Sequence, residues 1–158
     1  KLYYQIKIRV VELNKFFKGY KKLDLKSNEI ITEVIFNVPQ KSEVLKLYKV
    51  SQRKDLDIST VSAAYLVALN KNKITSAKIA YGGMAATPKR LFKVEESLSN
   101  LFITDKKAID EILNQIRNSF EPVSDLRASS ATRTLLSCNL FKKCIFELNE
   151  AHQLKGNS

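Results

Sequence analysis

The sequence is poor in the side chains from which metal and nucleophilic sites are built, with two cysteines and one histidine in 158 residues. Cys138 and Cys144 lie six residues apart in one predicted helix, where they point in different directions and cannot form a disulfide. These cysteines and His152, near the end of the chain, match no metal-ligand spacing and no nucleophile–base pair. We therefore assign no catalytic residue and no metal ligand, and we interpret the compartment as reducing.

Long apolar runs and leader segments are absent as well. No stretch reaches the roughly 18 apolar residues that cross a bilayer, and no charged-then-apolar leader opens the chain. We therefore expect a soluble, cytoplasmic protein that does not contact a membrane. The chain has no initiator Met and starts inside a predicted strand, so we also expect it to be a piece of a longer polypeptide.

Glycine is scarce too, with four residues, of which two are adjacent in "YGGMAATPKR", residues 81–90. This stretch has neither of the glycine spacings that bind phosphates, GxGxxG and the P-loop pattern. Gly82 and Gly83 permit a positive φ angle or a close approach of the backbone. The pattern alone leaves two alternatives open, a plain turn and the wall of a ligand pocket.

Basic residues are in excess, with 27 Lys and Arg against 16 Asp and Glu, in a chain that is 44% apolar and can bury a core. Residues 1–54 contain 13 basic and 5 acidic residues, which accounts for eight of the eleven net positive charges. We expect this third of the chain to face a negative partner: nucleic acid, an anionic lipid surface, cofactor phosphates or an acidic neighbouring domain. Composition does not choose among them.

The first half of the chain predicts strands. Alternating apolar residues predict half-buried strands in "QIKIRVVEL" and "KSNEIITEVIFNVP", residues 5–13 and 26–39, with a short helical turn from Leu13 to Tyr20 between them. A further strand is predicted over residues 43–51, followed by two strands joined by a hairpin at "NKNK". In the 43–51 strand, Lys49 shares a face with Leu45 and Leu47.

The second half predicts helices. Thr87 and Pro88 are typical of a helix start, and further helices are predicted over residues 105–118 and 125–150. Because strands precede helices, we predict an α+β fold in which about three helices pack on one face of an antiparallel sheet.

Several ordered motifs resemble one family. The segments "YKVSQRKDLDISTVSAAY", "KIAYGGMAATPKR" and "PVSDLRASSATR" are similar to the C-terminal domain of the FAD-binding region of xanthine dehydrogenase, above all the bacterial small subunit. Upstream, "FFKGYKKLDLKSNEIITEV" resembles the tail of the preceding FAD-binding lobe. The resemblance implies a carbon monoxide dehydrogenase flavoprotein C-terminal domain-like fold. It divides the chain into a lobe tail, residues 1–40, the C-terminal domain, residues 41–152, and a polar tail, residues 153–158.

The resemblance also implies site residues. Ile31 corresponds to an aliphatic side chain packed against the isoalloxazine ring of FAD, and Lys49 to a lysine near the polar end of that ring. Arg53 and Asp57 correspond to a charged loop that bears on the flavin's electrostatics. The positions that match the NAD site are Tyr20, Ile58 and Gly83. Leu56 departs from the acidic or polar residue of some relatives.

The family further implies a function: electrons pass from a molybdenum cofactor through iron–sulfur clusters to FAD and then to NAD, in purine metabolism. The clusters, the molybdenum cofactor and the FAD pyrophosphate loops belong to other domains or subunits, which become the expected partners. We expect the fragment alone to be inactive. The alternatives are an aldehyde, carbon monoxide or N-heterocycle dehydrogenase of the same superfamily, and a basic nucleic-acid-binding or subunit-docking module. No recognised basic helix-turn-helix or aromatic ribonucleoprotein pattern supports nucleic-acid binding.

Overall fold

The computed structural model of the chain describes the backbone of residues 7–156 and the side chains of residues 7–152. The chain forms two compact units, one that ends at Ile35 and one that begins at Phe36. None of the helices in the described part of the chain is both long enough and apolar enough to cross a membrane.

The first unit is small and has little regular structure. It contains a short helix, α1 (Leu13–Phe16), and an antiparallel pair of short strands, β1 (Phe17–Gly19) and β2 (Lys22–Leu23). The predicted helical turn is therefore right for Leu13 to Phe16 and wrong beyond it, because the chain turns back into β2.

Two predicted strands are not formed. Residues 7–12 and 29–40 have no regular structure, and residues 5 and 6 of the first predicted strand lie outside the described residues. A strand needs a neighbour for its backbone N–H and C=O groups, and these segments pair with none of the described residues. The apolar side chains of the second segment are between 57% and 83% exposed: Ile30, Ile31, Val34, Ile35, Phe36 and Val38.

The second unit is built on a four-stranded antiparallel sheet. Its strands are β3 (Glu43–Val50), β4 (Val61–Asn70), β5 (Lys73–Gly82) and β6 (Lys89–Arg90), and they lie side by side in chain order. The three long strands and the hairpin between β4 and β5 confirm the sequence prediction.

Three helices follow: α2 (Phe92–Leu98), α3 (Lys106–Arg117) and α4 (Ser130–Gly156). The second agrees with the prediction, and Asp105 caps it by accepting the Ala108 N–H. The predicted starts of the other two are wrong. Lys89 and Arg90 pair with β5 and delay α2, and the hydroxyls of Ser124 and Ser129 hold a turn before α4.

The core lies between one face of the sheet and α4. The ring of Tyr65 on β4 packs at a tilt against that of Phe141 of α4, with the ring centroids 6.1 Å apart. Tyr81 on β5 donates a hydrogen bond from its hydroxyl to the Ser137 carbonyl of the same helix. Val94 and Leu98 of α2, and Ile112 and Ile116 of α3, belong to the same buried cluster as these aromatic residues. The α+β fold with helices on one face of an antiparallel sheet is confirmed. The free cysteines, Cys138 and Cys144, are buried in this core, where desolvation raises the pKa of the Cys144 thiol to about 12.

The short strand β6 leaves part of the β5 edge without a neighbouring strand, and Glu95 of α2 covers it. One oxygen of Glu95 accepts the Ile79 N–H at 2.8 Å, and the carboxylate forms a two-pronged pair with Arg90 at 2.8 and 2.7 Å. The Glu95 side chain is 9% exposed. A nearly buried carboxylate that satisfies three donors ties α2 to the edge of the sheet.

We expect Glu95→Gln to lower the free energy of unfolding by about 2 kcal/mol, because an amide keeps neither the charge nor the paired acceptors. Urea unfolding followed by circular dichroism measures this loss. Glu96→Gln, on an exposed position of the same helix, is the matched control and should change stability by less than about 0.5 kcal/mol. Equal losses in both variants would contradict the assigned role.

In the first unit, Arg9 joins two acidic residues. Its guanidinium donates to Glu29 at 3.0 and 2.6 Å and to the Asp24 carboxylate at 3.1 Å. The hydrogen bonds from Arg9 lower the pKa of the Glu29 carboxyl from 4.5 to about 2. Because the folded-state pKa is depressed, the contribution of this pair to stability is present above about pH 4.5 and is lost as the pH falls toward 2.

We expect a carboxyl titration by NMR to give a midpoint near 2 for Glu29 and a higher midpoint in Arg9→Gln, one that stays below 4.5 because the Lys26 N–H still donates to Glu29. Lys15→Gln, which breaks the neighbouring Lys15–Glu12 ion pair, is the control and should leave the Glu29 midpoint unchanged. A midpoint near 4.5 in the unaltered chain would rule out the Arg9 pairing.

Candidate functional site

The face of the sheet turned away from the helices carries a flat array of small and aliphatic side chains, which we call the platform. Strand pairing places its nine residues in three rows across β3, β4 and β5. The rows are Lys49–Ser62–Gly82, Leu47–Ala64–Ala80 and Leu45–Leu66–Lys78. Alternation puts these residues opposite the buried face, which holds Val61, Ala63 and Tyr65.

The middle of the platform is shallowly concave. One depression is lined by Leu47, Ser62, Ala64, Ala80, Gly82 and Pro88. Three rows on three strands cover roughly 14 Å by 10 Å, given a rise of about 3.4 Å per residue and about 4.8 Å between strands. Side chains no larger than alanine at the centre leave the backbone of β4 and β5 accessible to a flat ring.

The two lysines of β3 lie on opposite faces. Lys46 faces the helices, where its ammonium pairs with Glu147 of α4 at 2.7 Å and Tyr48 donates to the same carboxylate at 3.0 Å. Lys49 lies on the platform face at one end of the array and is exposed. Leu45 and Leu47, which share its face, are 46% and 68% exposed. Lys49 is therefore the cation beside the apolar part of the platform at that end.

The loop between β3 and β4, residues 51–60, is organised by Asp57. Its carboxylate accepts the backbone N–H groups of Arg53 and Ile58, both at 2.9 Å. The hydrogen bond from the Arg53 N–H is the main cause that lowers the pKa of the Asp57 carboxyl, and the one from the Ile58 N–H also lowers it. The Asp57 side chain is 15% exposed and Arg53 is 74% exposed. Asp57 thus shapes the loop from inside, and the Arg53 guanidinium is directed to solvent.

The turn after β5 depends on Gly83. Its φ angle is +77°, and a Cβ atom there would collide with the Thr60 carbonyl. The sequence expectation that this glycine pair provides a positive φ or a close approach is confirmed, and Gly83 provides both. Through this contact the Gly83 turn lies against the end of the loop that carries Ile58.

One buried arginine joins these segments. Arg133, in the first turn of α4, donates Nη1 to the carbonyls of Thr60 and Gly83 and Nη2 to Asp125 at 2.7 Å. The residue is 5% exposed. The hydrogen bond from Arg133 and further ones from backbone N–H groups lower the pKa of Asp125 to about 2. Sequence reasoning missed this residue, because its partners Thr60 and Gly83 are far from it along the chain.

The sequence-predicted site residues divide between the two units. Five belong to the second unit and lie at one end of its sheet, the end that carries the Lys49 row: Lys49, Arg53, Asp57, Ile58 and Gly83. Tyr20 is exposed at the β1–β2 turn, and Ile31 is exposed in the irregular segment of the first unit. The proposed roles of all seven stay predictions. Leu56, the departure from the family pattern, is 98% exposed with a φ of +50°.

The platform itself was missed at the sequence level. Ser62, Ala64 and Ala80 alternate with buried residues and are small, which is the pattern of a face that another body approaches closely. Among the side chains that the structure describes, no group of three or more His, Cys, Asp and Glu could hold a metal ion.

The relatives found by comparison with known proteins include hydroxylases and dehydrogenases. The chain is 31% identical to a nicotinate hydroxylase of Emericella nidulans over 94% of this chain and 11% of that protein. It is 28% identical to the xanthine dehydrogenase FAD-binding subunit of Escherichia coli O157:H7 over 89% of this chain and 48% of that subunit. The chain thus spans about a tenth of the first and about half of the second.

Solved structures share the fold. Quinoline 2-oxidoreductase from Pseudomonas putida 86 matches with a TM-score of 0.79 and 21% identity, over 91% of this chain and 49% of that one. A Cu,Mo-CO dehydrogenase matches with a TM-score of 0.77 and 23% identity, over 85% of this chain and 46% of that one. Residues 46–148 match the CO dehydrogenase flavoprotein C-terminal domain. The chain belongs to this family, the C-terminal flavoprotein domain of the molybdenum hydroxylases.

Proposed function

We propose that this chain covers the isoalloxazine ring of FAD in a xanthine dehydrogenase-type oxidoreductase and forms part of the site at which electrons pass to NAD. The observation that carries the proposal is the platform: a shallowly concave array with an apolar middle and a lysine at each end, Lys49 and Lys78, on the sheet face that the helices leave free. A planar tricyclic ring fits such a surface, because no bulky side chain rises from its centre.

FAD supplies two-electron redox chemistry when bound, and the residues of this chain tune and enclose it. Lys49 places an ammonium at the edge of the apolar array, where positive charge stabilises negative charge that develops on the ring's polar end. Arg53 adds a second, exposed cation from the loop, and Asp57 keeps that loop in one conformation. The aliphatic residues Leu45 and Leu47 exclude water from the covered ring face.

For NAD, the proposed contacts are Tyr20, Ile58 and Gly83. Ile58 is 66% exposed, so its side chain is available to a ligand. Gly83 has no side chain, and its turn packs against the Thr60 carbonyl, so the chain presents backbone at this end of the platform. A backbone surface next to an exposed aliphatic residue suits the flat face of a nicotinamide ring.

The rest of the enzyme would supply the remaining groups. We propose that residues 1–40 complete the preceding FAD-binding lobe, residues 41–152 form the C-terminal domain, and iron–sulfur domains and a molybdenum-cofactor subunit are the partners. The exposed apolar residues between Ile30 and Val38 support this, because such a segment is stable in water only when another surface covers it. Several relatives are named xanthine dehydrogenase, which supports the xanthine type. The nicotinate hydroxylase relative keeps an N-heterocycle substrate as the second candidate.

Lys49→Met in the intact enzyme tests the platform. We expect the two-electron flavin potential to fall by roughly 30 mV, equivalent to about 1.4 kcal/mol, and NAD reduction to slow, with the molybdenum half-reaction unchanged. Lys78→Met is the matched control, because Lys78 lies on the same face at the far end of the platform. Redox titration and stopped-flow absorbance measure both quantities. An unchanged flavin potential in Lys49→Met would remove Lys49 from the flavin site, and a larger change in Lys78→Met would place the polar end of the ring at Lys78.

Val34→Cys tests the proposed lobe tail. Val34 is 71% exposed, so the introduced thiol should react at once with a thiol reagent in the 158-residue chain. In the intact protein we expect labelling to slow by at least about tenfold, because the preceding lobe covers the segment. Ala131→Cys, on the exposed start of α4, is the control. Equally fast labelling of position 34 in both proteins would contradict the assignment of residues 1–40.

A further inference from the structure

Three segments that come from different parts of the chain meet at the guanidinium of Arg133. Nη1 donates both to the Thr60 carbonyl and to the Gly83 carbonyl, the latter at 2.8 Å. Nη2 donates to Asp125 at 2.7 Å. The Arg133 side chain is 6% exposed, and its Nε has no hydrogen-bond partner among the described residues. Burying this charge with one donor unsatisfied costs free energy. A role that depends on the position of Arg133 would account for this cost.

The two carbonyls belong to the two segments that form the rim of the platform. Thr60 ends the loop that carries Arg53 and Ile58, and its N–H donates to the Val50 carbonyl at 2.7 Å, which closes the base of that loop. Gly83 begins the turn after β5. Because a single nitrogen bonds both carbonyls, the spacing between the loop and the turn is set by one atom.

Asp125 fixes the arginine from the other side. Its Oδ1 accepts from Arg133 and from the backbone N–H groups of Arg127 and Ala128 at 2.9 and 3.1 Å. The carboxylate is therefore part of a closed turn before α4, and it orients the guanidinium plane toward Thr60 and Gly83. Arginine is suited to this role because its planar, permanently charged fork presents several donors in fixed directions.

We infer that Arg133 is a positioning residue for the loop and turn at the Lys49 end of the platform: it holds the Ile58 loop and the Gly83 turn at the separation that the nicotinamide nucleotide requires. The inference rests on the proposed function and assigns a role to a residue that touches neither ring. Arg133 acts through the two carbonyls, which lie at the same end of the sheet as the Lys49 row, and it makes no hydrogen bond to Lys49 itself.

Arg133→Lys in the intact, flavin-loaded enzyme is the test, because lysine keeps the buried charge, but its single nitrogen is one bond nearer the backbone and cannot reach the Thr60 carbonyl, the Gly83 carbonyl and Asp125 together. We expect the KM for NAD to rise by about tenfold or more, since small displacements of positioning groups have effects of this order. The rate with a phenazine dye, which takes electrons without the nucleotide site, should stay within about twofold of the unaltered enzyme. Amide hydrogen exchange in residues 51–60 should be about tenfold faster, with β4 and β5 unchanged.

Two variants serve as comparisons. Arg127→Lys is the matched control, because Arg127 also pairs with Asp125, at 3.5 Å, but contacts neither Thr60 nor Gly83 in the structure. It should change neither the KM for NAD nor the exchange of the loop. Asp125→Asn leaves both carbonyl contacts of Arg133 in place, so its effect on the KM for NAD should be smaller than that of Arg133→Lys.

The outcomes separate this inference from the proposed function. An unchanged KM for NAD in Arg133→Lys overturns the inference, and so does a parallel fall of the NAD and dye rates together with loss of bound flavin, which marks a purely structural residue. If the unaltered enzyme binds FAD and reduces the dye but not NAD, the proposed NAD site is wrong and the nucleotide role of Arg133 falls with it. If the amides of residues 51–60 exchange faster in Arg133→Lys in that case, Arg133 stabilises the loop and the Gly83 turn and has no role in nucleotide binding.

Discussion

Tyr65 and Tyr81, on the two central strands, join their hydroxyl groups at 2.6 Å beneath the sheet, and Tyr81 passes the hydrogen bond on to the Ser137 carbonyl of α4. Both phenols are nearly buried, and desolvation raises their pKa values, so they stay neutral. This contact fixes which face of the sheet meets α4. Because side chains alternate along a strand, it also determines that Ser62, Ala64, Ala80 and Gly82 point the other way. The pairing register of β4 and β5 therefore determines both the side chains in the core and those on the platform.

Some of the basic residues in the first third of the chain have structural partners. Arg9 is paired with Asp24 and Glu29, and Lys15 with Glu12. Lys46 lies on the sheet face that meets the helices, where it pairs with Glu147. Two other basic residues of this third belong to the candidate site: Lys49 lies on the platform and Arg53 in the loop between β3 and β4. Position on the fold, and not net charge, distinguishes a functional cation from a structural one.

Local patterns predicted the elements whose partners are near in sequence. The β4–β5 hairpin, the buried face with Tyr65, and the α3 helix capped by Asp105 all follow from periodicity and capping within a short window. The errors share a cause. Residues 29–40 have the alternation of a strand but no described neighbour to pair with, and the helix expected at Pro88 was displaced by pairing of Lys89 and Arg90 with β5. The site residues came from resemblance, and the geometry that connects them came only from the fold. Arg133 could not be assigned from sequence because its partners, Thr60 and Gly83, lie 73 and 50 residues away.

The hydrogen bond from the Thr60 N–H to the Val50 carbonyl closes the loop between β3 and β4 at its base. The residues between Val50 and Thr60, including Arg53, Leu56 and Ile58, lie outside the strand pairing of β3 and β4. Insertions, deletions and changes of charge can therefore accumulate between these two residues without shifting the register of β3 on β4. The loop can therefore change in length and charge while the three rows of the platform keep their positions.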